Sequence, residues 1–162
     1  MSPEIEHRSV RRPGGFGIRP AQHGDADAAA ACVKAAYGHY VERNGKQPAP
    51  MLDDYARAIR DREVYVAFID SAIVGVLVLA QAEEGFLLEN IAVSPAVQGQ
   101  GVGRALLELA ERCAAKQGFG SIYLYTQDVM TENLALYAKI GYVEYARRTE
   151  AGLNRVYMRK RL

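Results

Sequence analysis

Apolar and polar residues alternate along this chain with two periods, and the switches between them predict its elements. A short apolar run over Phe16–Arg19 reads as a first strand, ended by Pro20, which cannot donate to a ladder. Asp25 or Asp27 can cap a helix that runs to about Val41. Glu42 to Pro50 carries Asn44-Gly45, Pro48 and Pro50, which is loop chemistry, and a second short helix fits Leu52–Arg60. Val64–Ile69 and Ile73–Leu79 are rich in β-branched residues, and the tight Asp70-Ser71 link predicts a hairpin. Phe86–Val93 is a further strand, closed by Ser94-Pro95. Gly101–Lys116 is helical, with Val102, Leu106, Leu109 and Cys113 recurring on one face, and Gly118 and Gly120 end it. Ser121–Thr126 then reads as a strand and Glu132–Ile140 as a helix stopped by Gly141. Tyr142–Arg147 and Arg155–Arg161 form a last strand pair.

The order β-α-α-β-β-β-α-β-α-β-β predicts an α/β protein with a mixed sheet and helices packed on it. Three consecutive strands before the next helix do not fit a pure doubly wound sheet. A length of 162 residues suits one domain, 1–162, with residues 1–13 as a flexible lead-in. Hydrophobic residues at 49% and charged residues at 24% argue against disorder. A net charge of +1 leaves no broad basic field to hold nucleic acid. Cys32 and Cys113 make neither a zinc pattern nor a disulfide framework and read as small buried apolar residues, so no metal is expected. No apolar run approaches the ~20 residues of a membrane span. The charged start, Met1–Arg12, lacks the apolar stretch of a signal peptide. The expectation is a cytoplasmic protein without a membrane partner; a homodimer is left open.

Gln98-Gly99-Gln100-Gly101-Val102-Gly103-Arg104 joins a strand to a helix. Such a loop presents backbone N–H groups at a helix N-terminus, where donors and dipole favour an anion, typically a phosphate. Glycines let the backbone approach the phosphate oxygens. A P-loop needs Gly-Lys-Ser/Thr at its end, which is absent. A dinucleotide loop needs Gly-x-Gly-x-x-Gly, and Arg104 breaks that pattern. Gln98, Gly101 and Gly103 do fill a Q/R-x-x-G-x-G/A pyrophosphate loop for coenzyme A; a flexible glycine-rich turn is the structural alternative.

The flanks decide between these. Leu88-Glu89-Asn90-Ile91-Ala92-Val93-Ser94-Pro95 precedes the loop, and Asn133-Leu134-Ala135-Leu136-Tyr137-Ala138-Lys139-Ile140-Gly141-Tyr142 follows it. Together with the loop these stretches resemble the GNAT superfamily of N-acetyltransferases, specifically from about Val64 to Tyr142. The resemblance implies a GNAT-like acyl-CoA N-acyltransferase fold, a central mixed sheet flanked by helices in which two parallel strands, here Phe86–Val93 and Ser121–Thr126, splay apart. It implies acetyl-CoA as cosubstrate. Ile91, Ala92 and Val93 would line the pantetheine arm, with a bulge near Ala92 freeing backbone groups to pair with it. Gln98, Gly99, Gln100, Gly101, Val102, Gly103 and Arg104 would bind pyrophosphate, and Asn133 would hydrogen-bond the arm or an ordered water.

Acetyl transfer to an amine needs a neutral nucleophile, yet a lysine-like amine, with a pKa of about 10.4, is mostly protonated at neutral pH. Glu89 is the candidate base or water-holder: alternation puts Glu89, Ile91 and Val93 on one strand face, and the structural alternative is a carboxylate paired with an arginine. Tyr137 is the candidate acid for the leaving thiolate. It sits four residues after Asn133 and so shares its helix face; a core aromatic is the alternative. Members that acetylate protein N-termini often carry a glutamate at the end of the second groove strand, where this chain has Tyr125-Thr126. Asp128 is a spare acid and reads better as a helix cap. Tyr37, Tyr40, Asp53 and Asp54 would receive a cationic amine, or form a solvated surface; Arg147, Arg148 and Arg155 would suit a carboxylate. The acceptor is thus a small-molecule or peptide amine of unnamed identity. A non-catalytic CoA-binding regulator and an acyltransferase for longer acyl donors are the rival readings.

Overall fold

The computed structural model describes residues 10–11, 15–44 and 49–162. Its strands are β1 (Val10–Arg11), β2 (Gly17–Pro20), β3 (Glu63–Ile69), β4 (Ala72–Ala82), β5 (Gly85–Val93), β6 (Ser121–Gln127), β7 (Val143–Glu150) and β8 (Leu153–Arg161). Its helices are α1 (Ala26–Asn44), α2 (Ala49–Leu52), α3 (Tyr55–Asp61), α4 (Val102–Lys116) and α5 (Thr131–Lys139). The chain divides into two compact units, Met1–Val78 with Asn90–Leu107, and Leu79–Glu89 with Glu108–Leu162. Of the strand order, the first unit takes the run β1-β2-β3-β4-β5 and the second the run β4-β5-β6-β8-β7.

In the first unit, β2 pairs antiparallel with β3, from Gly17↔Phe68 to Pro20↔Tyr65. The lead-in expected over residues 1–13 lies outside the described residues except for Val10 and Arg11, which pair with Ile18 and Gly17. The Asp70-Ser71 link is the hairpin connection the sequence predicts. Asp70 takes the left-handed conformation there, φ 53°, which an aspartate tolerates better than most residues. Val74 to Val78 are all buried, as befits an interior strand covered on both faces.

The helix expected over Leu52–Arg60 starts only at Tyr55, and the separate turn α2 before it begins at Ala49, inside the stretch expected to be loop. Asp54 is extended (φ −86°, ψ 102°), and its side chain accepts from the Arg57 N–H, capping α3, while Asp53 pairs with Arg62 at 3.0 Å. Two adjacent short carboxylates compete with the helical ladder for backbone donors and win at a cap. Helix α1 extends to Asn44, past the expected end. Asp25 stands immediately before it, accepting from the Gln22 N–H at 2.7 Å and holding both guanidinium nitrogens of Arg19 at 2.6 and 2.9 Å. That pairing keeps the Asp25 carboxyl below its ordinary pKa.

In the second unit β5 and β6 are parallel, and their register covers Phe86↔Ile122 and Leu87↔Tyr123. Strand β6 pairs with β8 along its whole length, Ser121↔Arg161 to Gln127↔Arg155. The sheet is therefore mixed, and the parallel register is far shorter than the strands that carry it. Residues of alternate parity bury Ile122, Leu124, Val156 and Met158 on one face and Tyr123 and Tyr157, with Leu87, on the other. The last hairpin is longer than expected because its turn is only Ala151-Gly152, both at positive φ (51° and 74°).

The buried stripe of α4 differs from the expected one. Val102, Leu106, Ala110 and Ala114 lie inside with Ala105 and Leu107, whereas Leu109 and Cys113 are half-buried. Small alanines fill the inner face, so hydrophobicity alone placed it one residue off.

Candidate functional site

Strand β5 delivers the first group of candidate residues. From Leu88 onward burial alternates: Leu88, Asn90 and Ala92 are buried, and Glu89, Ile91 and Val93 are half-buried, as period two requires for one strand face. Ser94-Pro95 ends the strand, and the Ser94 N–H donates to the Val74 carbonyl at 2.8 Å. A single 3-10 turn, Pro95–Val97, then leads into the exposed run Gln98–Gly101.

Gly99 (φ 83°) and Gly101 (φ 85°) both adopt the left-handed conformation. A Cβ built on either meets no atom within 4 Å. These glycines therefore serve the backbone path and not a close packing contact. Gly103 has no such conformation, and a Cβ there would lie 3.5 Å from Val93 Cγ2, an ordinary contact. Ala105 donates to the Gly101 carbonyl at 3.0 Å, the first bond of α4. The amides ahead of it occupy the positions where an α-helix has no intrahelical acceptor, so the loop offers an anion an amide-lined helix start. Ile91, Ala92, Val93 and Gln98–Arg104 all belong to the first unit.

Glu89 lies in the second unit, as do Asn133 and Tyr137 on α5. Tyr137 is the one buried residue of that helix, 6% exposed, and its ring meets Tyr142 edge-on at 5.7 Å. Asn133 is half-buried and its Nδ2 lies 3.7 Å from Met130 Sδ, which Thr126 Oγ1 also approaches at 3.4 Å. The expected helix cap at Asp128 is corrected: the N-cap is Met130, and no side chain caps α5. The Asp128 N–H instead donates to the Asn154 carbonyl at 2.9 Å, which ties the β6 end to the last hairpin.

The residues considered for an acceptor are mostly occupied. Arg148 forks onto Glu84 (2.9 and 3.0 Å) and lies 4.2 Å above the Tyr157 ring. Arg155 pairs with Glu150 at 2.8 Å and covers the Tyr125 ring at 4.7 Å, and Arg147 pairs with Glu144. Arg148 holds the Glu84 carboxyl below its ordinary range. Asp53 and Asp54 are engaged in the ion pair and the cap already described. The side chain of Tyr40 lies outside the described residues. Tyr37 is buried, 8% exposed, and donates toward Asn90 and the Ile91 carbonyl. Asn90, 6% exposed, is the buried polar residue of the described core, and sequence reasoning passed over it. A lone asparagine in an apolar strand was the available signal.

Cys32 is buried, and burial pushes its thiol up to about 11. Among the described residues no group of three or more His, Cys, Asp and Glu side chains is placed to hold a metal ion, and no helix is long and apolar enough to cross a membrane.

Residues 60–144, just over half of the chain, match the family described as "Acetyltransferase (GNAT) domain". A 57-residue stretch is 44% identical to the mycothiol acetyltransferase of Jonesia denitrificans; it takes in 35% of this chain and 18% of that protein. The structure is similar to the ribosomal-protein-S18-alanine N-acetyltransferase of Escherichia coli, with a TM-score of 0.72 at 20% identity over 90% of this chain and 93% of that one. It is also similar to a GNAT family acetyltransferase of Elizabethkingia anophelis with acetyl-CoA bound, with a TM-score of 0.70 at 21% identity over 91% and 99%.

Proposed function

The chain belongs to the GNAT family of acetyltransferases, and on that premise we propose that it moves an acetyl group from the thioester of acetyl-CoA to a primary amine by direct attack in a ternary complex. The observation that carries this reading is the strand-to-helix loop after β5, where Gly99 and Gly101 shape an exposed amide-lined turn at the start of α4. Gln98 to Arg104 take the pyrophosphate, and Ile91, Ala92 and Val93 take the pantetheine arm. Asn133 hydrogen-bonds that arm or an ordered water.

The protons follow from the residue chemistry. The attacking amine must lose one proton, and the departing thiolate gains one. Glu89 is the group assigned to accept the first, directly or through water. Tyr137 donates the second from its hydroxyl, so that the thiol leaves neutral. The acceptor is a primary amine on a small molecule or peptide. By their names, two of the relatives above act on mycothiol and on an alanine of ribosomal protein S18.

The test is release of free CoA from acetyl-CoA, screened against amines, amino acids, antibiotics and peptides. Amine-dependent release, with acetylated product, is the expected result. No release with any amine, together with no calorimetric binding of CoA, overturns the reading.

A further inference from the structure

The buried polar residue of the first unit lies at the centre of a hydrogen-bond chain whose direction can be worked out. The Tyr55 hydroxyl donates to the Pro50 carbonyl at 2.6 Å. Its proton is thereby committed, so its oxygen must accept, and Asn90 Nδ2 donates to it at 3.0 Å. With its amide nitrogen turned to Tyr55, Asn90 presents Oδ1 to Tyr37, whose hydroxyl lies 3.0 Å away. The same hydroxyl is 2.9 Å from the Ile91 carbonyl. A phenol has one proton, and here two acceptors share it. Helix α1 is thus fastened to β5 at the Ile91 carbonyl, which begins the candidate pantetheine segment, and α3 at the Asn90 side chain beside it.

We propose that Tyr37 and Asn90 are positioning residues that hold the Ile91 peptide in the orientation that pairs with the pantetheine arm of coenzyme A. This rests on the functional reading above. A strand edge recognises an extended amide arm only if its N–H and C=O groups are aimed before the arm arrives. Half-buried Ile91 sits at the start of the strand end, close to where β5 gives way to Ser94-Pro95, and nothing in its own apolar side chain fixes its carbonyl. The Tyr37 hydroxyl does so, and Asn90 holds that hydroxyl in place from the side. Tyr55 steadies Asn90 and touches the Ile91 peptide only through it.

The experiment compares two probes by calorimetry: CoA, and 3′-phospho-ADP, which is CoA without its pantetheine arm. Tyr37→Phe keeps the ring and removes the shared proton. It should weaken CoA by about threefold to tenfold, the worth of one neutral hydrogen bond, and leave 3′-phospho-ADP within about twofold. Tyr55→Phe, at the far end of the chain, should weaken CoA less than Tyr37→Phe. Equal loss of both probes in Tyr37→Phe would mean general loosening and overturns the proposal, as would an unchanged CoA affinity or an equal loss in the two variants. Failure of the unaltered protein to bind CoA would instead sink the functional reading itself.

Discussion

At the scale of single residues, Tyr137 and Glu89 separate the two halves of the proposed proton traffic. Tyr137→Phe preserves the edge-on packing against Tyr142 and removes one donor. Turnover on an identified amine should fall by about 10²–10⁴-fold while CoA affinity holds. Glu89→Gln should cost most at low pH, where the amine is most fully protonated and most needs a base. Steady-state kinetics across pH, with a binding titration as control, reads both; a Tyr137→Phe rate within about threefold of the parent would leave the thiolate to water. The loop glycines give a prediction of opposite signs. Gly101, at φ 85°, should lose about 1–2 kcal/mol of stability on substitution by alanine and bind CoA more weakly. Gly103 lies inside the first turn of α4 with ordinary space for a Cβ, so Gly103→Ala should gain about 0.5–1 kcal/mol and keep its affinity. Urea unfolding distinguishes the pair, and equal losses would mean that the loop conformation is not what the glycines serve.

At the scale of elements, the junction between β2 and α1 is built on charge. Asp25 accepts from the Gln22 N–H and from Arg19, and its folded pKa lies below its unfolded one. Its contribution is therefore fully present above the unfolded value of about 3.9 and is lost as pH falls through the folded pKa. Melting temperatures of the parent and Asp25→Asn should differ near neutrality and converge below about pH 4. A gap that persists unchanged into strong acid would assign the stabilisation to packing. The break between α2 and α3 was not legible in advance, because an Asp-Asp pair fits a helix face and a cap equally well until Arg62 and the Arg57 N–H are seen to engage it. The Ala151-Gly152 turn was hidden for a related reason: alanine seldom adopts positive φ, so its place in a two-residue turn leaves little trace in sequence.

At the scale of the molecule, local regularities were readable and distant pairings were not. Runs of strand-forming residues between turn signals marked β3 to β6, helical periodicity marked α4, and glycine at a helix end marked the stop after α5. These patterns report torsional and steric preferences of neighbouring residues, which act whatever the rest of the chain does. The loop Gln98–Arg104 and its flanks likewise carry their family in consecutive residues, and the match over residues 60–144 agrees. What only the tertiary structure decided depends on groups far apart in sequence. Tyr37 read as a receiver for a cationic amine or as part of a solvated surface, and is a buried donor to residues 53 and 54 positions away. Arg148 looked available to a carboxylate and is held by Glu84, 64 positions earlier. A side chain's composition says what it can bond, but which partner it meets is set by the packing of strands and helices around it. The direction of the Tyr55–Asn90–Tyr37 chain follows from one proton committed to Pro50, a fact that no pattern along the sequence contains.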